Sequence, residues 1–305
     1  MYEKIKLNNG VEIPQQGFGT YLIPKDKLSE TIGKAYEMGY RQFDTAWRYG
    51  NEKEIAKALK ENGIRREDVF ITSKFNITGS YKSLYFHNKL YSFKFRSIKS
   101  VFEQSLEDLD TDYIDLYLMH FPYPMYKTIW EVMSSFYVEG RFKAIGVCSF
   151  LPPHIEAIKS FSDIVPAVNQ FEISPLNSQK ALIQYCQNNG IAVEAMSTFS
   201  HYRNVEPRKE ILENELLLSL AKKYGKSVVQ IVLRWIYQQN IILIPKTWDY
   251  AHMLENISIT DFELSDEDMK RIDSLNQGKF LNYNPYKSKQ GFEEFWANWS
   301  GFKSL

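Results

Sequence analysis

Eight short apolar runs alternate with eight amphipathic stretches along this chain, and that alternation restricts its possible folds more than any single motif does. The runs lie at 16–20, 40–44, 69–74, 114–120, 144–149, 167–172, 191–196 and 241–245. Helical periodicity fills the intervals near 26–38, 50–62, 97–109, 126–139, 152–160, 177–188 and 212–239, with a last stretch near 251–257. Strands separated by such helices pair in parallel, because the crossover helix returns the chain to the same end of the sheet. Eight units within 305 residues predict an α/β chain folded as a (β/α)8 TIM barrel rather than an open doubly wound sheet. Ahead of them, residues 4–7 and 11–13 flank Asn8-Asn9-Gly10 and predict an N-terminal β-hairpin, since Asn and Gly tolerate the positive φ of tight turns.

No stretch reads as a linker, so residues 1–305 are expected to form one barrel domain. Two segments fall outside the repeat and are expected as extra loops at the C-terminal face. Residues 76–96 mix Lys and Arg with Tyr and Phe, and 276–305 form an aromatic C-terminal tail. The first reads either as a lid recruiting anionic substrates or as an oligomer surface, so a monomer and a weak homodimer are both open. Formal net charge is zero, which argues against a general binder of nucleic acid or anionic membrane. The polar N-terminus and the lack of any long apolar run predict no signal peptide and no membrane span. Two cysteines, Cys148 and Cys186, lack metal-ligand spacing; they suit a reducing cytoplasm and give no metal site.

Three polar residues stand where runs end: Asp44, Lys74 and His120; Tyr49 follows the first of them in a loop. In a closed parallel barrel all strand C-termini open onto one face, so these distant residues can converge. Each alone has an ordinary explanation, as a helix cap, a snorkelling lysine or a surface ring. Together an acid, an amine, a phenol and an imidazole can move a proton.

The segment Phe43-Asp44-Thr45-Ala46-Trp47-Arg48-Tyr49-Gly50-Asn51-Glu52, with Thr72-Ser73-Lys74 and Leu118-Met119-His120-Phe121-Pro122, closely resembles the aldo-keto reductase family. Further blocks agree in order: Gly17-Phe18-Gly19-Thr20, Ala144-Ile145-Gly146-Val147, Val168-Asn169-Gln170, Ile244-Pro245-Lys246-Thr247 and Glu255-Asn256. The resemblance covers nearly the whole chain apart from 76–96 and the tail. It implies an oxidoreductase that reduces an aldehyde or ketone with NADPH, with NADH possible, the dinucleotide lying across the C-terminal face. No glycine-rich dinucleotide fingerprint is needed for that mode, and the chain has none.

The family's catalytic tetrad maps onto Asp44, Tyr49, Lys74 and His120. Carbonyl reduction adds hydride to carbon and a proton to the developing alkoxide. Tyr49 would give the proton, Lys74 would stabilise its conjugate base, Asp44 would hold Lys74 charged, and His120 would polarise the carbonyl. The cofactor contacts carried over are Gly19, Thr20, Asp44, Ser149, Asn169, Gln170, Met196, Ser197, Phe199, Lys246, Thr247, His252, Glu255 and Asn256. Tyr21, Trp47, Phe75, His120 and Phe121 are the substrate-side candidates, an aromatic box suited to a small carbonyl compound.

Several positions depart from the family. Ser149 replaces an amide that normally helps bind the nicotinamide carboxamide, and Met196 replaces the tyrosine that stacks on its ring. His252 stands where an arginine often grips the 2′-phosphate, so a weaker NADPH preference is expected, sharpening as pH falls below about 6.5. The changes in the nicotinamide pocket, at Cys148, Ser149 and Met196, motivate a second reading, a cofactor-binding regulatory barrel with weak or no turnover.

Overall fold

Strand pairing in a computed structural model brings the apolar runs into a ring in chain order. The structure describes residues 3–76, 90–123, 125–199, 205–281 and 284–285, with backbone only at 90–97 and 205. First comes the hairpin: β1 (Lys4–Lys6) and β2 (Glu12–Pro14) pair antiparallel with Ile5 opposite Ile13. The ring follows as β3 (Gly17–Gly19), β4 (Gln42–Asp44), β5 (Phe70–Phe75), β6 (Ile114–Met119), β7 (Phe142–Cys148), β8 (Val168–Glu172), β9 (Ala192–Met196) and β10 (Ile242–Leu243). Each is parallel to the next. The first and last strands then meet: Leu243 N donates to Gln15 O at 2.9 Å and Gly19 N to Pro245 O at 3.1 Å. The result is a nearly closed (β/α)8 barrel.

Side chains alternate across each strand, and the alternation assigns every residue to one of two cores. Phe70, Leu116, Leu118, Ala144, Val168 and Ile242 fill the barrel, with Ile5, Leu7 and Ile13 of the hairpin against them. Their neighbours Ile71, Tyr117, Met119, Ile145, Val147, Phe171 and Val193 pack outward in the larger core shared with the helices. Gly17 and Gly19 face inward where space runs out. A Cβ on Gly17 would lie 2.7 Å from the Gln42 side chain, and one on Gly19 2.9 Å from Ile244 O, so no larger residue fits without displacing the wall.

The helices are α1 (Lys25–Glu37), α2 (Glu52–Glu61), α3 (Leu90–Asp108), α4 (Tyr126–Val138), α5 (Pro152–Lys159), α6 (Lys180–Asn188), α7 (Val205–Leu212), α8 (Glu215–Tyr224), α9 (Val228–Tyr237), α10 (Tyr250–Ile257) and α11 (Asp266–Asp273). They form where apolar residues recur at helical spacing, as with Leu28, Ile32 and Ala35 on the buried face of α1.

Three expectations are corrected. The stretch 212–239 is not continuous: α8 ends at Gly225 with φ 63°, and α9 begins with a capping box between Ser227 and Gln230. The segment 76–96 is not all loop, because α3 starts at Leu90. And α11, capped by Ser265 accepting from Asp268 N, is a helix the repeat did not announce. Residues 77–89 and 286–305, where the rest of the basic-aromatic loop and most of the aromatic tail fall, lie outside the described residues. Among the described residues no helix is long and apolar enough to cross a membrane, and no group of acidic, His and Cys side chains could hold a metal ion.

Candidate active site

The same alternation turns Asp44, Lys74 and His120 toward the barrel mouth. Lys74 is fully buried, and its ammonium donates to Asp44 Oδ1 at 2.5 Å and to Thr45 O at 2.9 Å. Burial opposes the charge on Lys74, but the Asp44 carboxylate outweighs it and raises its pKa. Asp44 Oδ2 accepts from Gln170 Nε2 at 3.1 Å, so both carboxylate oxygens are engaged.

Tyr49 closes a short 3-10 turn, Trp47–Tyr49, that sets its ring 5.2 Å from Lys74 Nζ and 6.0 Å from the His120 ring. The turn is tied down behind the motif. Thr45 Oγ1 donates to Asn51 Oδ1 at 2.7 Å, Asn51 Nδ2 donates to Thr20 O at 3.2 Å, and Ser73 Oγ donates to Glu52 Oε1 at 2.5 Å. Burial pushes the Tyr49 phenol up to about 12, with Lys74 pulling the other way.

Burial, then the charges of Lys74 and Arg48, hold His120 well below the usual imidazole range, so its ring is neutral at pH 7. Asn76 Nδ2 lies 3.4 Å from His120 Nδ1. An amide nitrogen can only donate, so Nδ1 accepts and the ring proton sits on Nε2. His120 is thereby prepared as a neutral donor.

These groups open into a cavity of about 870 Å³, within the range of small-molecule sites. Tyr21, Arg48, Tyr49, His120 and Phe121 line it with Asp44 and Gln170, as do Gly19, Met196, Ser197, Thr198 and Phe199. Lys246, Thr247, Trp248, Asp249, His252, Glu255, Asn256 and, from α7, Arg208 also line it. Burial and then Arg208 lower the pKa of Lys246, so two cations face the same space. An anion with a planar head fits this donor set: cations around Lys246 at one part of the wall and an acid–base cluster beside Gln170 at another.

Not every expected residue reaches the cavity. Phe75, one residue past inward-facing Lys74, points outward and packs edge-on against Phe102 at 5.3 Å and Tyr123 at 6.0 Å. Asn169, one residue before Gln170, is likewise turned out; it donates to Phe150 O at 2.8 Å and accepts from Phe150 N at 3.3 Å. Thr20 is buried with its hydroxyl on Asp44 O at 2.9 Å. Trp47 is half-buried away from the lining residues, and Ser149 is buried with φ 57°. An asparagine accepts that left-handed backbone more readily than serine, which connects the family's usual residue there to a backbone requirement.

Sequence reading missed Asn76, Arg48, Arg208 and Glu194. Arg48 stood inside the resembling motif, and Glu194 is a charged residue at an inward position of a barrel strand, a signal that alternation supplies. Arg208 had no local signal, since only the fold returns α7 to Lys246.

A parallel barrel with a buried ammonium, a phenol and a neutral imidazole at its C-terminal mouth defines a barrel enzyme with acid–base chemistry at that face. The sequence profile of the Aldo/keto reductase family matches residues 16–277, and the chain belongs to that family. It is an oxidoreductase. Among its relatives is the glyoxal reductase of Bacillus subtilis (strain 168), 38% identical over 286 residues, covering 93% of this chain and 96% of the relative. An aldo-keto reductase enzyme from a Medee basin deep-sea metagenome library is similar in structure, with TM-score 0.81 and 33% identity over 94% of this chain and 99% of that one. The Bombyx mori aldo-keto reductase in complex with NADP gives TM-score 0.79 and 31% identity, covering 92% and 94%.

Proposed function

We propose that this protein reduces small aldehydes and ketones to alcohols with NADPH, Tyr49 supplying the proton. The observation that carries the reading is the buried Lys74 ammonium, held by Asp44 and set beside the Tyr49 phenol where the long cavity begins. Bound in that cavity, the nicotinamide supplies the hydride. His120 donates from Nε2 to the carbonyl oxygen and orients it. Tyr49 then protonates the developing alkoxide, and Lys74 stabilises the phenolate left behind, working against the burial that weakens the phenol as an acid.

Lys246 and Arg208 supply two positive charges for the phosphate-bearing end of the dinucleotide. Arg208 thus provides the permanent charge that His252 does not, and NADPH is the preferred cofactor, with NADH as a weaker one. Met196, which lines the cavity, would pack against the nicotinamide ring. Arg48 on the cavity wall favours carbonyl compounds that carry an anionic group, and the relative named as a glyoxal reductase supports a small substrate. Cys148 and Cys186 are free thiols, which suits the cytoplasm. The regulatory reading is not favoured, because the tetrad is assembled and the relative is named for a reductase.

The test is NADPH oxidation across a panel of aldehydes and keto acids, with Tyr49→Phe beside the parent. Loss of the proton donor should cut turnover by at least about 100-fold while NADPH affinity stays within about twofold. Parent-level reduction by the variant would remove Tyr49 from the mechanism.

A further inference from the structure

Glu194 takes no part in the proton relay, yet it sits at the centre of the barrel's polar interior. It is fully buried on β9, and its oxygens accept from Gln42 Nε2 of β4 at 2.6 Å and from Gln170 Nε2 of β8 at 2.7 Å. The same Gln170 nitrogen donates its other hydrogen to Asp44 Oδ2 at 3.1 Å. Among the described residues Glu194 makes no salt bridge; two amides donate its hydrogen bonds, and burial with the Asp44 charge beside it lifts its carboxyl to about 7. A buried carboxyl without a cation is costly to keep.

A primary amide carries two N–H donors and one acceptor oxygen. Both Gln170 donors are spent on carboxylates. Turning the amide over would break both hydrogen bonds and point its oxygen at the Asp44 carboxylate. Its Oε1 must therefore stay on the other side, where Cys148 Sγ is 3.8 Å away and Gln170 lines the cavity. Without Glu194 only the bond to Asp44 and the weak donation from the Cys148 thiol to Oε1 would resist the turn.

We propose that Glu194 is a positioning residue that locks the Gln170 amide, so that an acceptor and not a donor meets the carboxamide N–H of the nicotinamide. This rests on the cavity being the nicotinamide site. One consequence is chemical discrimination: an acceptor at that point favours a carboxamide and repels a carboxylate in the same place.

Dissociation constants of NADP and of its nicotinic-acid analogue, measured for the parent, E194L and E194Q, test the lock. In addition, the side-chain amide signals of 15N-glutamine protein are recorded without nucleotide, that of Gln170 being identified by its loss in Gln170→Met. The parent should prefer the carboxamide by about tenfold or more, with a slowly exchanging Gln170 amide. E194L should lose most of that preference and the slow exchange. E194Q should keep both, because its oxygen still accepts from Gln170 and its amide can donate to Gln42 once the Gln42 amide turns to present Oε1, which is otherwise buried without a partner. Should E194L not fold, E194D withdraws the oxygen by one methylene and carries the same expectation.

An E194L protein that keeps the preference and the slow exchange overturns the proposal, as does an E194Q protein that loses as much as E194L. A parent that binds neither nucleotide overturns the proposed function instead, and the nucleotide-free amide signals still decide whether Glu194 locks Gln170.

Discussion

Arg208 and His252 show how far single residues could be judged in advance. His252 was visible as a departure from an arginine, and the charge deficit inferred from it was sound as local chemistry. What local chemistry could not supply was Arg208, forty-four positions earlier by sequence number and brought to Lys246 only when α7 folds back over the barrel mouth. Arg208→Met should therefore raise the KM for NADPH by about tenfold and leave that for NADH within about twofold, read from steady-state kinetics with each cofactor. An equal loss with both cofactors would place Arg208 elsewhere on the dinucleotide. Phe75 and Asn169 carry a different lesson. Each neighbours an inward residue in a strand, so period-two alternation alone turns them outward, and their assignment to the site followed the motif instead of the parity.

Elements were legible where an apolar run ended abruptly in polar residues, which is why all eight ring strands fall within the expected intervals or within two residues of them. Helices were less so. The apolar period carries on through 212–239, and only the short sequence Gly225-Lys226-Ser227 divides it into α8 and α9. Gly225 holds a left-handed φ of 63°, and Ser227 Oγ accepts from Gln230 N at 3.1 Å. Ser227→Ala removes that cap and should lower stability by about 1 kcal/mol in urea denaturation. Gly225→Ala should cost a similar amount, about 1 kcal/mol, because a Cβ disfavours the backbone there although nothing crowds it. The charged helix α11 escaped notice because Met269 and Ile272 give it too little apolar signal to stand out from a loop.

At the scale of the whole molecule, two buried groups oppose each other in their response to pH. Burial holds His154 down at about 4, where its Nδ1 accepts from Leu151 N at 3.1 Å. Its unfolded form binds a proton near 6.5, so its stability contribution is intact above that pH and is lost, by about 3 kcal/mol, as pH falls toward 4. Glu52 behaves the opposite way. Burial lifts it to about 7, so the folded state keeps a proton that the unfolded state gives up, and stability falls as pH rises from about 4.5 through 7. Over the shared interval the two slopes cancel. Glu52→Gln removes one of them: the variant should gain about 2 kcal/mol over the parent at about pH 8, and lose stability more steeply on acidification from about 6.5 to 4.5. Urea midpoints across that range decide it, and an unchanged difference between variant and parent would show Glu52 to be ionised at neutral pH.

The seam of the barrel has a bearing on how the enzyme comes into being. β3 and β10 lie more than two hundred residues apart, yet each completes the hydrogen bonding of the other through Gln15, Gly19, Leu243 and Pro245. A nascent chain therefore carries an unpaired strand edge from its first ring strand until nearly the last part of it has been synthesised. Lys246 and Thr247 follow β10 after two residues, so the stitch that closes the sheet also brings these two residues to the cavity wall. A nascent chain lacking β10 would therefore lack both the closed sheet and the part of the cavity wall that Lys246 and Thr247 form.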